Sequence, residues 1–452
     1  MKFEIDKQTI NDLDLYDKRS GEKSVFSFFN HTKSLGGKRR LENMFSKPLT
    51  DIKLIEERVQ NIKSCRDSNK DFDIHKEHLD FIEHYLTQYQ YGVPRKFSMV
   101  RSFLNALSYR IKPKNEHYIV QRGIRLLIRW LNEMYDYSGD YKQDDLGYIR
   151  NCKQIVFDKI ENTSLREVLK LKGRVKLYPQ EYGKLDYCFR KLDVGSIKDI
   201  LEIIYEIDAF KSIAFAANRY RFTYPVLTNK LNCYQVRGLF HPFLDKPVAN
   251  DFEFSVGQNV CFLTGANMAG KSTFLKSISI SIYLSHLGFP VPAKYLETSI
   301  FNGLLTTINL SDNLNKGYSH FYNEVLRVKY VAERMNETGN IFVVFDELFR
   351  GTNVKDAYEA SLSVISAFAK QNRGLFAIST HIIEIADKLN DHDSIFYKYF
   401  EANLVNEIPQ YNYTIKDGVT NERIGMYILR KERVLEIIES STSSGTWGII
   451  EN

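Results

Sequence analysis

"LTGANMAGKST", Leu263 to Thr273, decides how the rest of the chain is read. Two glycines, Gly265 and Gly270, enclose Ala266, Asn267, Met268 and Ala269, and Lys271-Ser272-Thr273 follow at once. An apolar strand, Val260–Leu263, leads in, and a helical pattern from about Lys271 to His286 leads out. G-x-x-x-x-G-K-[ST] between a strand and a helix is the pattern of a phosphate cradle, a P-loop. The glycines let the backbone turn so that successive N–H groups point inward. The helix start adds the positive end of its dipole. Lys271 is placed to reach the β- and γ-phosphates of ATP, and the Ser272 hydroxyl to ligate Mg2+.

Three further stretches bear on this loop. "IFVVFDELFRGT" runs five apolar residues into Asp346-Glu347. A carboxylate ending a buried strand beside a P-loop can hold Mg2+, which suits Asp346. Its neighbour Glu347 is then the candidate general base that polarises water. "LFAIST" precedes His381, a candidate sensor of the γ-phosphate. "GYSHFYNE" sets a Gly and a Ser before a helix, an anion-binding arrangement that serves either this chain's nucleotide or a partner's.

Outward from the loop, the back half is α/β. "NVCFLTG", "GLLTTINL", "NIFVVFDE" and "GLFAIST" are short continuous apolar runs, as strands buried on both faces require. Helical segments between them predict βαβ units and a mostly parallel sheet. The front half reads as helices, from "SFFNHTKSLGGKRRLENMF" to "LDVGSIKDILEIIYEIDAFKSIAFAANRY". Thr50 or Asp51 is placed to cap the helix of "LTDIKLIEERVQNIKSC". Pro225, Gly238 and Pro242 break the pattern, which sets domains at 1–230 and 231–452.

The 452 residues suffice for two or three domains, and 43% hydrophobic with 26% charged content is ordinary globular composition. The net charge of +6 is uneven. Residues 1–230 hold 42 Lys+Arg against 32 Asp+Glu, so +10; residues 231–452 hold 20 against 24, so −4. A polyanionic partner would meet the front half. Arg110, Lys112, Lys114, Arg122, Arg125 and Arg129 lie among Tyr109, Tyr118 and Trp130, candidate DNA contacts or the exposed side of a helix pair. Five widely spaced cysteines favour neither a zinc site nor a disulfide framework. "MKFEIDKQT" is too polar for a signal peptide, and no apolar run is long enough to span a membrane, so the expectation is a cytoplasmic protein.

These residues together resemble the MutS family of DNA mismatch-repair ATPases. "TGANMAGKSTFLK", "VVFDELFRGT", "ISTHIIEIA" and "YSHFYNEV" are similar to its four nucleotide-site motifs, in order. "SFFNHTKSLGGKRRLENMFSKPLTDIKLIEERVQNI" resembles the opening of its helical core. The resemblance implies an all-helical core followed by an ABC-type P-loop ATPase domain, with helices from about 418 that dock on a second subunit. It further implies that Ser319 meets the ATP of the partner subunit, so that composite sites form across a homodimer or a heterodimer with a related chain. The expected partner is double-stranded DNA, in mismatch repair or related repair and recombination.

Three departures from the family pattern carry expectations of their own. The family's mismatch-reading and connector modules have no counterpart ahead of the core. Residues 90–195 leave little room for levers and a DNA clamp. "KPVANDF" puts Pro247 or Val248 where the family stacks an aromatic on adenine, leaving Phe240 or Phe243 to substitute. The other reading is an ABC-like nucleotide switch acting on a protein partner. A small-molecule kinase would need an acceptor pocket and a lid, for which the sequence gives no signal.

Overall fold

The computed structural model describes residues 2–17, 23–67, 74–88, 115–139, 147–174, 176–309, 320–405, 408–420 and 433–443. They form two compact units. One comprises Phe26–Lys47 and Lys53–Tyr220; the other comprises Met1–Val25, Pro48–Ile52 and Arg221–Asn452.

The first unit is helical, with Leu35–Phe45, Lys76–Gln88, Asn115–Ser138, Tyr148–Glu161 and Val194–Tyr220 as its main elements and most of Ile52–Arg66. The "SLGGK" stretch shows why these residues pack. Ser34 caps the helix Leu35–Phe45 by accepting the Gly37 N–H. Asp208, buried on Val194–Tyr220, accepts the N–H groups of Lys33 and Ser34 and the Ser34 hydroxyl. A Cβ on Gly36 would sit 2.4 Å from the Tyr205 ring, and one on Gly37 2.2 Å from the Asp208 carboxylate. Only glycine lets the two helices approach this closely, and Ile197, Ile200, Leu201 and Ile204 then bury the rest of the long helix.

The second unit carries ten strands: β1 (Val226–Thr228), β2 (Tyr234–Leu239), β3 (Asn250–Glu253), β4 (Val260–Gly265), β5 (Tyr295–Ser299), β6 (Gly303–Thr307), β7 (Ile341–Asp346), β8 (Leu375–Ser379), β9 (Ile395–Val405) and β10 (Ile408–Asp417). A six-stranded mixed sheet has the order β10-β9-β4-β8-β7-β6. β6, β7, β8, β4 and β9 are parallel, and β10 returns antiparallel beside β9. All six residues of β7 and all five of β8 are buried, as their apolar runs demand.

Beside it lies a four-stranded sheet, β1-β5-β2-β3, which the sequence reading did not anticipate. Its strands are short and interrupted by Gly238, Pro242 and Pro247, so no continuous apolar run marks them.

The helix Lys271–Leu287 is buried along most of its length. Its serines lie inside because each satisfies itself: Ser277, Ser279 and Ser285 donate to carbonyls one turn back. The hydroxyls of Ser281 and Tyr234 bond to each other at 2.7 Å.

The N-terminal residues do not follow the boundary drawn at 230. Phe3, Leu13 and Leu15 are buried in the strand-bearing unit, and Glu4 forms a parallel bridge with Gly303. A short polar segment gives no sequence signal for this, because its pairing partner lies some 300 residues away. Of the expected C-terminal helices, Val434–Ser443 is described; residues 421–432 lie outside the described residues. All five cysteines are free. Among the described residues, no helix is long and apolar enough to cross a membrane.

Candidate nucleotide site

β4, β8 and β7 lie side by side and end level: Leu263 pairs with Ser379, and Ser379 with Asp346. The residues that follow these strands therefore meet at one edge, outside the carboxyl ends of a parallel sheet, where α/β proteins bind ligands. They are the glycine loop after β4, Glu347 after β7, and Thr380-His381 after β8.

The loop conformation explains its composition. Gly265 has φ +144°, and a Cβ there would lie 2.9 Å from the Phe400 carbonyl oxygen. Gly270, at φ +108°, opens the helix Lys271–Leu287 with no side-chain cap. Its first-turn N–H groups are thus free to meet an anion. Met268 also takes a left-handed conformation, φ +67°. Lys271 is 5% exposed, and its ammonium donates to the carbonyls of Gly265 at 2.7 Å and Ala266 at 3.1 Å. Burial lowers its pKa, against the opposing pull of Glu347 and Asp346.

The acidic side is held from β8. Asp346 is buried and accepts the Ser379 hydroxyl, while the Glu347 N–H donates to the Ser379 carbonyl at 3.1 Å. Glu347 sits at φ +61°, a strained conformation for a non-glycine residue. Its Oε1 lies 2.6 Å from His381 Nε2, and its Oε2 accepts from Arg350 at 2.9 Å. The bond to His381, joined by the charges of His381, Arg350 and Lys271, outweighs burial and lowers the Glu347 pKa to about 2. Glu324, buried on the helix His320–Thr338, accepts the N–H groups of Arg350 and Gly351 at 3.2 and 3.3 Å. Gly351 is required there, since a Cβ would lie 2.7 Å from His320.

A cavity of about 430 Å3 opens beside the loop, within the size range of ligand pockets. Ala266, Asn267, Met268, Gly270, Lys271, Ser272, Thr273 and Glu347 line it. Phe240, His241, Val248 and Tyr413 line it as well. Of the two aromatics named from sequence, Phe240 faces the cavity and Phe243 packs edge-on against His241. Burial pushes the His241 pKa down to about 4, with Lys276 adding to the shift.

Sequence reasoning missed Tyr413. It rides on an irregularity of β10 between Tyr411 and Ile415, at φ +55°, pinned by Asn250 through the Tyr413 carbonyl (3.0 Å) and the Ile415 N–H (2.8 Å). It missed the bracing role of Ser379 as well. Only the strand register, which no local pattern reveals, sets Ser379 opposite Asp346.

Gly265 and Ala269 shape the loop without lining the cavity. Ser319, Arg110, Lys112 and Lys114 lie outside the described residues. Arg122, Arg125 and Arg129 share one exposed face of Asn115–Ser138, in the helical unit. Among the described residues no cluster of three or more metal-ligating side chains occurs. A Mg2+ ion carried in with a nucleotide needs none, since it takes one or two protein oxygens besides phosphate and water. Buried Asp346 and the Ser272 hydroxyl fit that requirement.

An uncapped, glycine-opened helix that begins at a buried lysine, beside strand-end carboxylates, is an arrangement in which an α/β protein can hold an anion. The comparisons give the family. The family model of MutS domain III matches residues 8–316, and that of MutS domain V residues 261–444. The chain belongs to the MutS family. It is 26% identical over 397 residues to the DNA mismatch repair protein MutS of Ehrlichia chaffeensis, covering 85% of this chain and 46% of that one. The protein of the same name from Ehrlichia ruminantium is 33% identical over 198 residues, 43% of this chain and 24% of that one. The one from Macrococcus caseolyticus is 26% identical over 315 residues, 66% and 36% of the two chains. The chain thus spans half or less of the length of these relatives.

Proposed function

We propose that the chain binds ATP with Mg2+ at the Gly265–Thr273 loop, hydrolyses it, and acts on double-stranded DNA in mismatch repair or related repair and recombination. One observation carries the reading: a buried lysine, a buried aspartate and a hydrogen-bonded glutamate–histidine pair meet at the level ends of three adjacent parallel strands.

The chain's own residues divide the work. Loop N–H groups and the first turn of Lys271–Leu287 would hold the phosphates. Lys271 would exchange its two carbonyl acceptors for phosphate oxygens. Ser272 and Asp346 would hold Mg2+, which supplies charge neutralisation on the β- and γ-phosphates. Glu347 is ionised at neutral pH, but His381 and Arg350 occupy its two oxygens. It becomes a base for water once His381 turns to the γ-phosphate. Tyr413, with Phe240, would take the role of stacking on the base, left open where Pro247 or Val248 stands. Ser319 of a second copy, or of a related chain, would complete each site in trans. The proposed compartment is the cytoplasm.

DNA enters through the named relatives and through the basic balance of residues 1–230. The test is phosphate release and DNA binding by the purified chain, with and without ATP, across a salt series. Mg2+-dependent hydrolysis with DNA affinity that falls steeply with salt supports the reading. Hydrolysis without affinity for homoduplex, mismatched, single-stranded or branched DNA would transfer the proposal to a protein partner.

A further inference from the structure

Resting on that reading, we infer that Asp6 and Arg327 are positioning residues for Glu347, tying the N-terminal segment to the catalytic edge through the helix His320–Thr338. The N-terminal segment is fastened to the sheet edge at several points. The Glu4 N–H donates to the Asn302 carbonyl at 2.8 Å, and the Leu304 N–H to the Glu4 carbonyl at 2.9 Å. Asp12, 1% exposed, accepts from the Thr306 hydroxyl (2.8 Å) and the N–H groups of Ile308 (2.9 Å) and Asn309 (3.1 Å).

From this anchored segment Asp6 reaches Arg327. The Arg327 guanidinium donates to the Asp6 carboxylate, to the Thr307 hydroxyl at 3.0 Å and to the Thr306 carbonyl at 2.6 Å. Its side chain is 10% exposed, and it lies 5.3 Å from the Tyr330 ring centroid. A fork satisfied on all sides fixes both the position and the rotation of its helix. One turn earlier on that helix stands Glu324, which holds the Arg350 and Gly351 N–H groups. Arg350 in turn grips Glu347. The turn of helix between Arg327 and Glu324 is covalent and the other links are charge-assisted hydrogen bonds, so a rotation of the helix would be felt at the Glu347 carboxylate.

The experiment compares the full chain with Asp6→Asn, Arg327→Ala and Arg327→Lys by amide hydrogen exchange at residues 348–352, by ATP turnover, and by titration with a fluorescent ATP analogue. Arg327→Ala and Asp6→Asn should speed exchange at Arg350 and Gly351 by about tenfold. They should lower kcat by about fivefold with nucleotide affinity within about twofold. Arg327→Lys, which keeps the charge facing Asp6 but loses the fork that reaches Thr306 and Thr307, should fall between wild type and Arg327→Ala in both effects. Adding Asp6→Asn to Arg350→Ala should lower kcat no further than Arg350→Ala alone, because both act along one route. Unchanged exchange in Asp6→Asn and Arg327→Ala would overturn the inference, as would losses that multiply in the double variant. A wild-type chain that hydrolyses no ATP removes the proposed function instead, and the exchange measurement still decides the tether.

Discussion

The level ends of β4, β8 and β7 and the arginine face of Asn115–Ser138 both concentrate charge, yet they do so under opposite conditions. At the strand ends Lys271, Asp346 and Glu347 are buried or half-buried and converge, with His381 and Arg350 on the exposed rim. Lys271 spends its donors on carbonyls of its own loop, and Glu347 and Phe349 hold left-handed backbone conformations. On the helix the arginines are exposed and spread along one face. Arg122 lies 4.7 Å from the Phe81 ring centroid, and Arg125 bonds the Tyr182 hydroxyl at 2.9 Å. Desolvation and strain cost stability and persist only where surrounding contacts impose them, which marks the strand ends as the place where geometry matters. Exposed arginines laid over aromatic rings cost little and present a sequence-tolerant surface.

The contrast breaks first at Glu347. Glu347→Gln should retain nucleotide while kcat falls by about a thousandfold, read by single-turnover hydrolysis. The amide keeps the shape but removes the base and weakens the hold on His381 and Arg350. Turnover within a few-fold of wild type would show that the converging charges are structural. Lys271→Ala comes next. Losing a buried ammonium should weaken ATP binding by on the order of 100-fold, about 3 kcal/mol, measured by equilibrium titration. An affinity unchanged by Lys271→Ala would place the phosphates elsewhere.

Much of this edge was legible from residues alone. The glycine spacing, the apolar runs ending in Asp346 and before His381, and the helix after Gly270 are local patterns, and local patterns survive folding. What escaped was set by register and by distance along the chain. Ser379 braces Asp346 because β8 pairs with β7 in one register. Tyr413 faces the loop because Asn250, 163 residues earlier in the chain, pins an irregular strand. The N-terminal segment reads as the start of a helical domain, yet it closes the far edge of the sheet. No window of sequence holds both partners of such pairs.

A third expected effect sharpens the link between burial and strain. His286 closes the helix that begins at the glycine loop. It is fully buried, with Nδ1 2.7 Å from the Leu49 carbonyl oxygen and Nε2 accepting the Phe301 N–H at 3.2 Å. Burial pushes its pKa down to about 4 from an ordinary 6.5. The folded chain therefore refuses a proton that the unfolded chain accepts. Stability is full above pH 6.5 and declines as the pH falls toward 4. Between pH 7 and pH 5 His286 should cost about 2 kcal/mol, and His241 acts in the same direction. Denaturant unfolding at the two pH values measures the loss. His286→Gln, whose amide can make both hydrogen bonds, should shrink it by about that amount. An undiminished loss would assign the acid sensitivity to other groups.

The smallest expected effect lies on the arginine face. If that face contacts the DNA backbone, each arginine adds one screened phosphate contact and no sequence preference. Arg125→Ala should then weaken duplex binding by about threefold and reduce the salt slope by roughly one, equally for all sequences. The change also removes the bond to Tyr182, so stability must be followed in parallel. Arg125→Lys separates the two roles, because it keeps the charge but loses the planar fork that reaches Tyr182. Binding kept in Arg125→Lys and lost in Arg125→Ala would make the face a backbone contact. If both variants bind like wild type and only thermal stability falls, the arginines serve the packing of Asn115–Ser138 against its neighbours, and the basic front half loses its best-placed contact surface.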